Sequence, residues 1–442
     1  MYANIYLIYA KIFEEIINES DLYMKLKLFS LILTIFTLLS LFTLTAGADE
    51  ADSRIKKSTE SFLDPAGEIL GVSSKGEWGE YPENSIPAII EAAKTDIDFV
   101  AVDVKRAYCG SLILFSDSTT ERMLDSQDIL TVADTDYSVL SAYKLKKGCG
   151  GSNEEISEES IPLLSEAIKT AKEKDIPLIL RCAVSDIGEV SLLLEKEDAL
   201  SMCIILTDGK VSEIEQILKD IDNKPYIIGS KKGNVIFNML SFINGLEEIS
   251  AKGVQLQTVN RYGINFYYSV LGMYTENMRA ILDHTTPEIS GFREDSESYW
   301  NDVISRGYSV IITDHAERFS EYKDDVNTAR ERLKSLYDKY VTNHTLPDFR
   351  DEVLSDQKKA YTDAVALSEK LLADNSSSLK DLTDCYSKLF KAANDVNKNF
   401  SSLEDGSAGT TITAPRIILC VAAVIAVVTV QIYFFKRRKK VG

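Results

Sequence analysis

Between about residues 67 and 320 the hydrophobic pattern switches period again and again. Nine short runs rich in β-branched and apolar residues, at 69–73, 99–104, 112–115, 177–182, 202–207, 226–228, 254–259, 279–282 and 309–313, read as strands. Amphipathic stretches lie between most of them, for example 85–94, 160–174, 189–200 and 211–221. A strand that is followed by a helix before the next strand returns in the same direction, so repeated alternation builds a parallel sheet covered by helices. The number of repeats predicts an α/β fold of the closed (β/α)8 TIM-barrel type over 67–320 rather than an open doubly wound sheet.

After about Asp324 the strands stop. Residues 325–400 carry helical periodicity in three segments, broken at Thr345-Leu346-Pro347 and at 375–378, where Asn and Ser offer helix caps. An all-α helical bundle is expected there. Its apolar positions Tyr361, Ala364, Leu367 and Leu371, with a capped third helix over 379–396, resemble the FIVAR modules of bacterial surface proteins. The Ser-, Gly- and Thr-rich stretch 401–414 reads as a flexible stalk.

The two ends of the chain speak to location. Met24, Lys25 and Lys27 precede an apolar run over 28–44 and the small residues Thr45-Ala46-Gly47-Ala48, the order of a secretory signal peptide over 24–48, with 1–23 as an upstream start. An uncleaved N-terminal anchor is the alternative. From 417 to 435 only Thr429 and Gln431 are polar, and Lys436-Arg437-Arg438-Lys439-Lys440 follow at once. A helix of that length spans roughly 28 Å, close to a hydrocarbon core. The basic tail 436–442 is expected to stay cytoplasmic, so the body would be extracellular on a single-pass membrane protein.

Acidic side chains outnumber basic ones by 68 to 49, for a net charge of −19, and the basic tail leaves the body more acidic still. Such a surface repels polyphosphates, which sets nucleic acid aside as a partner. Six cysteines in 442 residues are too few for a disulfide scaffold. Cys420 lies in the apolar span, Cys182 and Cys203 fall in apolar runs as core residues, and Cys109 with Cys149 leaves a bridge or two free thiols open.

In a (β/α)8 barrel the working residues stand at C-terminal strand ends and in the loops that follow. Those positions here are Ser74-Lys75-Gly76, Asp103, Ser116-Asp117, Arg181 and Thr313-Asp314-His315, with Pro82-Glu83-Asn84-Ser85 opening the first helix. Their order and spacing resemble the glycerophosphodiester phosphodiesterase family of phospholipase-C-like barrels. That family carries H-R-G, P-E-N-T, E-x-D, H-D-x-x-x-x-R, E-x-K and a final G-V-D-G-I-I-T-D. Here these become Ser74-Lys75-Gly76, Pro82-Glu83-Asn84-Ser85, Ala101-Val102-Asp103, Ser116-Asp117 with Arg122, Arg181-Cys182-Ala183, and 307–314.

The resemblance implies hydrolysis of glycerophosphodiesters to an alcohol and glycerol 3-phosphate, with two histidines as acid and base and a carboxylate cluster holding calcium or magnesium. The departures fall on that chemistry. Both histidine positions are serine, Ser74 and Ser116, and a hydroxyl has no protonation change near neutral pH. Of the implied metal carboxylates Asp103 remains, while Ala101 and Arg181 replace the others. One carboxylate is too few for a hard-cation site. The expectation is therefore a catalytically degenerate barrel that binds an anionic head group from phospholipid or wall polymer, or a surface partner. An active divergent phosphodiesterase is the alternative, with a divalent cation only in that case.

Three further readings stay open at the mouth. Lys75 and Arg181 form a cationic pocket for an anion, or Arg181 pairs with Asp103 and plugs the old site. His284 and His315, near Asp117, Asp283 and Asp314, are a rearranged acid and base or plain rim residues. Glu83 and Asn84 cap and orient the first helix.

Overall fold

Val, Ile and Leu dominate the strand runs because a parallel strand is buried on both faces, by helices outside and by its neighbours inside. The computed structural model describes residues 53–232, 239–257, 277–283, 295–305, 308–342, 355–374 and 376–404. The segments 24–48, 417–435 and 436–442, together with His284 and His344, lie outside them. Among the described residues no helix is long and apolar enough to cross a membrane.

Helix α1 (Arg54–Leu63) leads into β1 (Leu70–Ser74), α2 (Ile86–Ala92), β2 (Phe99–Arg106) and β3 (Leu112–Leu114). Then come α3 (Leu164–Glu173), β4 (Leu178–Ala183), α4 (Ile187–Lys196), β5 (Cys203–Asp208), α5 (Val211–Lys219) and β6 (Tyr226–Lys232). The barrel finishes with α6 (Met239–Glu248), β7 (Gly253–Gln257), β8 (Arg279–Asp283), α7 (Glu297–Ser305), β9 (Val310–Thr313) and α8 (Ala316–Lys323). Eight strands pair in parallel in the order β1-β9-β8-β7-β6-β5-β4-β2, and β1 closes the ring on β2. The run at 112–115 is not a barrel stave: β3 pairs antiparallel with the far end of β2, Val104 opposite Leu114.

Strand alternation divides the core. Val72, Phe99, Ala101, Ile179, Ile204, Ile228, Ile281, Val310 and Ile312 face inward, whereas Val100, Leu180, Ile205, Val254 and Ile311 face the helices. Phe62 of α1 joins the inner cluster and meets Phe99 edge-on at 5.8 Å between ring centres, so α1 stoppers the N-terminal end. The long β3–α3 connection has a core of its own, built on Ile113, Phe115, Met123, Leu124, Val132, Leu140, Leu145 and Ile161. That cluster carries Ser116, Asp117 and Arg122 to the mouth.

Beyond the barrel, α9 (Val326–Tyr337), α10 (Ser355–Ala373) and α11 (Leu379–Glu404) enclose Leu333, Leu336, Tyr361, Ala364, Leu382, Leu389 and Ala393. The last helix runs on into the segment read as a stalk, where Ser and Leu still suit helix. The bundle packs at the stoppered end. Arg332 donates to the Gly67 carbonyl at 2.8 Å and stacks over Tyr386, and Ser387 donates to the Ala66 carbonyl at 3.0 Å.

Arg279, 1% exposed, is the internal tie for the same turn. Its guanidinium donates to the Ser61 carbonyl at 2.9 Å, to Gly67 at 3.0 Å and to Glu68 at 2.7 Å. Methionine matches the aliphatic length but removes a charged donor from three carbonyls, of which Ser61 O keeps the Asp64 N–H and Gly67 O keeps Arg332. Arg279→Met should therefore lower unfolding stability by about 2 kcal/mol, read from the midpoint of urea denaturation. An unshifted midpoint would show that these bonds contribute nothing net.

Candidate active-site remnant

Backbone conformation places the first loop. Lys75 and Asn84 both sit at positive φ, +61° and +56°, and Gly76 between them is at +83°. Asparagine tolerates that region, and at Gly76 a Cβ would lie 2.6 Å from the Ala88 carbonyl carbon. The Asn84 N–H donates to the Lys75 carbonyl at 2.9 Å, and Glu83 N–H donates to Gly148 O at 2.9 Å. The helix cap is Ser85, whose hydroxyl accepts from Ala88 N–H at 3.3 Å. Glu83 and Asn84 are therefore not the caps: the loop turns both side chains into the mouth.

There they form one network. Asn84 accepts from the Asp103 N–H at 2.9 Å and donates to Ser116 Oγ at 2.8 Å and Asp103 Oδ2 at 3.3 Å. Ser116 Oγ stands 2.5 Å from Asp103 Oδ2 and 2.9 Å from Glu83 Oε1, with one proton to share between them. Glu83 is also held by Lys75 Nζ at 3.0 Å and by Arg122 Nη2 at 2.6 Å. Arg122 bonds Asp117 through Nε at 2.7 Å and reaches the Cys149 carbonyl through Nη1.

Arg181 is the centre of the arrangement. Its Nη1 donates to Asp103 Oδ1 at 3.1 Å and its Nη2 to Ser74 Oγ at 3.3 Å, while Nε lies 3.5 Å from Asp283 Oδ2. Side-chain exposure is 13% for Arg181 and 4% for Asp283, so the guanidinium is nearly dry. Burial works to raise the Asp103 carboxyl, but Arg181, Lys75 and the Ser116 hydroxyl outweigh it and hold the group below its ordinary value. For Arg181 burial works downward and is overcome by Asp283 and Asp103, which hold it firmly protonated.

The remaining candidates stand apart. Asp314 N–H donates to Asp295 Oδ2 at 2.9 Å, and Asp295 also takes Thr313 Oγ1 at 2.5 Å and Trp300 Nε1 at 2.6 Å. His315 is exposed at the N-terminus of α8, its N–H donating to Thr313 Oγ1 at 3.0 Å. Glu77 in the first loop, which the sequence reading passed over, is pushed up by burial, with His315 pulling the other way and Glu317 and Asp314 adding to the rise. Cys109 and Cys149 are exposed free thiols, and no bridge joins them.

With this geometry in view, residues 75–230 match the model of the Glycerophosphoryl diester phosphodiesterase family. The barrel carries a domain of that family. Solved structures with a similar fold include a glycerophosphoryl diester phosphodiesterase from Parabacteroides distasonis, 18% identical over 61% of this chain and 90% of that one, with a TM-score of 0.48. A phosphodiesterase from Oleispira antarctica, in complex with the product sn-glycerol-3-phosphate, is 17% identical over 60% and 99% of the two chains, TM-score 0.45. A glycerophosphodiester phosphodiesterase from Agrobacterium tumefaciens is 15% identical over 57% and 99%, TM-score 0.44. No curated protein matches the chain.

The family resemblance implies a divalent cation at this end of the barrel, and the residues present do not fit one. Asp103 and Asp283 are both occupied by the Arg181 guanidinium, and Glu83 by Lys75 and Arg122. Among the described residues no group of three or more His, Cys, Asp or Glu is arranged to hold a metal. The fixed positive charge already stands among the carboxylates, so an incoming cation meets repulsion at groups already engaged by Arg181, Lys75 and Arg122. Nor do the serines offer acid–base chemistry: Ser74 is buried beneath the guanidinium, and Ser116 is bonded to a carboxylate whose lowered pKa makes it a weak base.

Two consequences follow for Arg181→Met. Removing the cation strands Asp103 and Asp283 in a dry site, at a cost of about 3 kcal/mol near pH 7. Because the folded-state pKa of Asp103 lies below its unfolded value, its contribution is complete above about pH 4 and fades as pH falls through the folded value. Thermal transitions of wild type and variant, measured from neutral pH downward, should therefore converge at the acid end; a constant gap would show that the pairing is not electrostatic.

Proposed function

We propose that this chain is a secreted, C-terminally anchored surface protein whose phosphodiesterase-family barrel has lost hydrolysis and serves as a binding module. The carrying observation is the Arg181 guanidinium seated between Asp103 and Asp283, beside serines at both positions where the family has histidine. Each absent acid–base group removes roughly 10²–10⁴-fold in rate, and the cation's charge stabilisation is lost as well. The location rests on the apolar segments at 24–48 and 417–435 and on the basic tail.

The anchored body would present the barrel mouth away from the helical module, since the bundle packs at the stoppered end. A phospholipid- or wall-polymer-derived anion at the mouth has to displace Glu83 from Lys75, or Asp103 and Asp283 from Arg181. The internal pairing favours a ligand or surface partner that is not a strong anion.

The deciding measurement is turnover of glycerophosphocholine and glycerophosphoglycerol by the full-length chain in detergent, with calcium or magnesium and with EDTA. No release of glycerol 3-phosphate is expected from protein that shows a cooperative thermal transition. Cation-dependent release that disappears in Asp103→Ala would overturn the reading. A divergent phosphodiesterase would then be the function, and Glu77, whose carboxyl is pushed upward beside His315, is the acid to remove first.

A further inference from the structure

Buried polar side chains in folded proteins are hydrogen-bonded with few exceptions. Two exceptions stand side by side inside this barrel. Ser230 Oγ and both amide atoms of Gln255 have no hydrogen-bond partner among the described residues, and each side chain belongs to a residue 1% exposed. The two are register partners on β6 and β7.

Strand alternation aims both inward. On β6 Ile228 belongs to the inner cluster, and a Cβ on Gly229 would run into Leu246 of α6, so residue 229 faces the helix and residue 230 the interior. On β7 Val254 packs with the outer cluster, which leaves Gln255 facing in. Ser230 stands past the middle of β6, toward the mouth, and Gln255 at the middle of β7.

Ring order gives the pair its setting. In the sequence β1-β2-β4-β5-β6-β7-β8-β9, β4 and β8 are four steps apart, so the Arg181–Asp283 ion pair runs across the barrel's full width. Ser74 and Asp103, on β1 and β2, lie to one side of that bar. Ser230 and Gln255, on β6 and β7, lie to the other, four steps round from β1 and β2.

We propose that Ser230 and Gln255 form a subsite for an uncharged polyhydroxy group, of the kind a sugar ring or a polyol chain presents, on the far side of the Arg181–Asp283 bar. This rests on the reading of the barrel as a binding module and names the class of ligand it takes. An amide supplies two donors and one acceptor, and the serine hydroxyl supplies both kinds; ligand hydroxyls, each donor and acceptor at once, match that set. A charged ligand does not. Arg181 has its charge met by Asp103 and Asp283, so it is not an uncommitted cation that could offset the desolvation of a buried phosphate here. A purely structural role also fits poorly, since an apolar pair would fill the same interior with no polar atom to satisfy.

The test is calorimetric titration of the full-length chain with glycerol and with D-glucose, and with glycerol 3-phosphate as the charged comparison. Saturable binding of a neutral probe is expected, weakened about tenfold or more in Ser230→Ala and in Gln255→Met. Thermal transitions of both variants should be unchanged or raised, because each removes an unsatisfied buried group. The glycerol and glucose arms tell a chain polyol from a ring.

Four results would overturn the subsite: no saturable heat with either neutral probe, unaltered affinity in both variants, tighter binding of glycerol 3-phosphate than of the neutral probes, or a marked fall in both thermal transitions. Turnover of glycerophosphocholine is scored separately. Hydrolysis together with Gln255-dependent polyol binding would remove catalytic degeneracy and keep the subsite. Absence of both would keep degeneracy and remove the subsite.

Discussion

A guanidinium held between two carboxylates on opposite walls governs the mouth of this barrel. Arg181 reaches Asp103 on the neighbouring strand and Asp283 across the ring, and it covers Ser74 on the way. Where the family resemblance implies a mobile divalent ion, this chain has a cation fixed by a peptide backbone. The exchange is not neutral. A divalent ion leaves coordination positions for substrate oxygens, whereas the Arg181 guanidinium is a rigid fork that here bonds Asp103 and Ser74 and pairs with Asp283. In the proposed reading Arg181 takes the electrophile's place and ties up the carboxylates beside it.

The rest of the mouth adjusts to that choice. Lys75, Arg122 and Arg181 face Glu83, Asp103, Asp117 and Asp283, a set of charges that nearly cancels. Ser116 can sit against two carboxylates because Glu83 already has two cations, so its single proton is free for Asp103. Histidine at that position would bring a ring and a titratable charge into the space Asn84 now spans. Ser74, Ser116 and Arg181 are thus mutually consistent: Arg181 bonds Ser74 and Asp103, and Asp103 takes the Ser116 hydroxyl.

The sequence made the barrel legible because nearly every stave is a run of Val, Ile and Leu bounded by an amphipathic helix. The antiparallel β3 escaped because its Leu-Ile-Leu run has the composition of a stave; its pairing with the far end of β2 depends on the Ile113–Ile161 cluster that folds the following loop back. At the site, Asp103, Ser116 and Arg181 were legible from spacing, and the Arg181 to Asp103 pair from complementary charge. Asp283 as the second partner was not, since only ring closure sets β8 across from β4. Asn84 looked like a cap by residue type, and its positive φ, invisible in sequence, is what turns it toward Asp103. Ser230 and Gln255 left a faint trace: polar residues at the inward parity of otherwise apolar strands.

The two ends of the barrel are built on opposite terms. At the stoppered end Arg279 is also buried, and its two terminal nitrogens meet three carbonyls of the chain itself while its Nε has no hydrogen-bond partner among the described residues. At the mouth the bar across the ring satisfies the charges on one side and leaves an amide and a hydroxyl bare on the other. Selection for stability alone would fill that half with the aliphatic residues used one layer below, at Ile204, Ile228 and Ile281. Unsatisfied polarity beside a paired ion network is what the proposed subsite would use. The proposed loss of hydrolysis and the proposed subsite are compatible because they belong to different halves of the same ring.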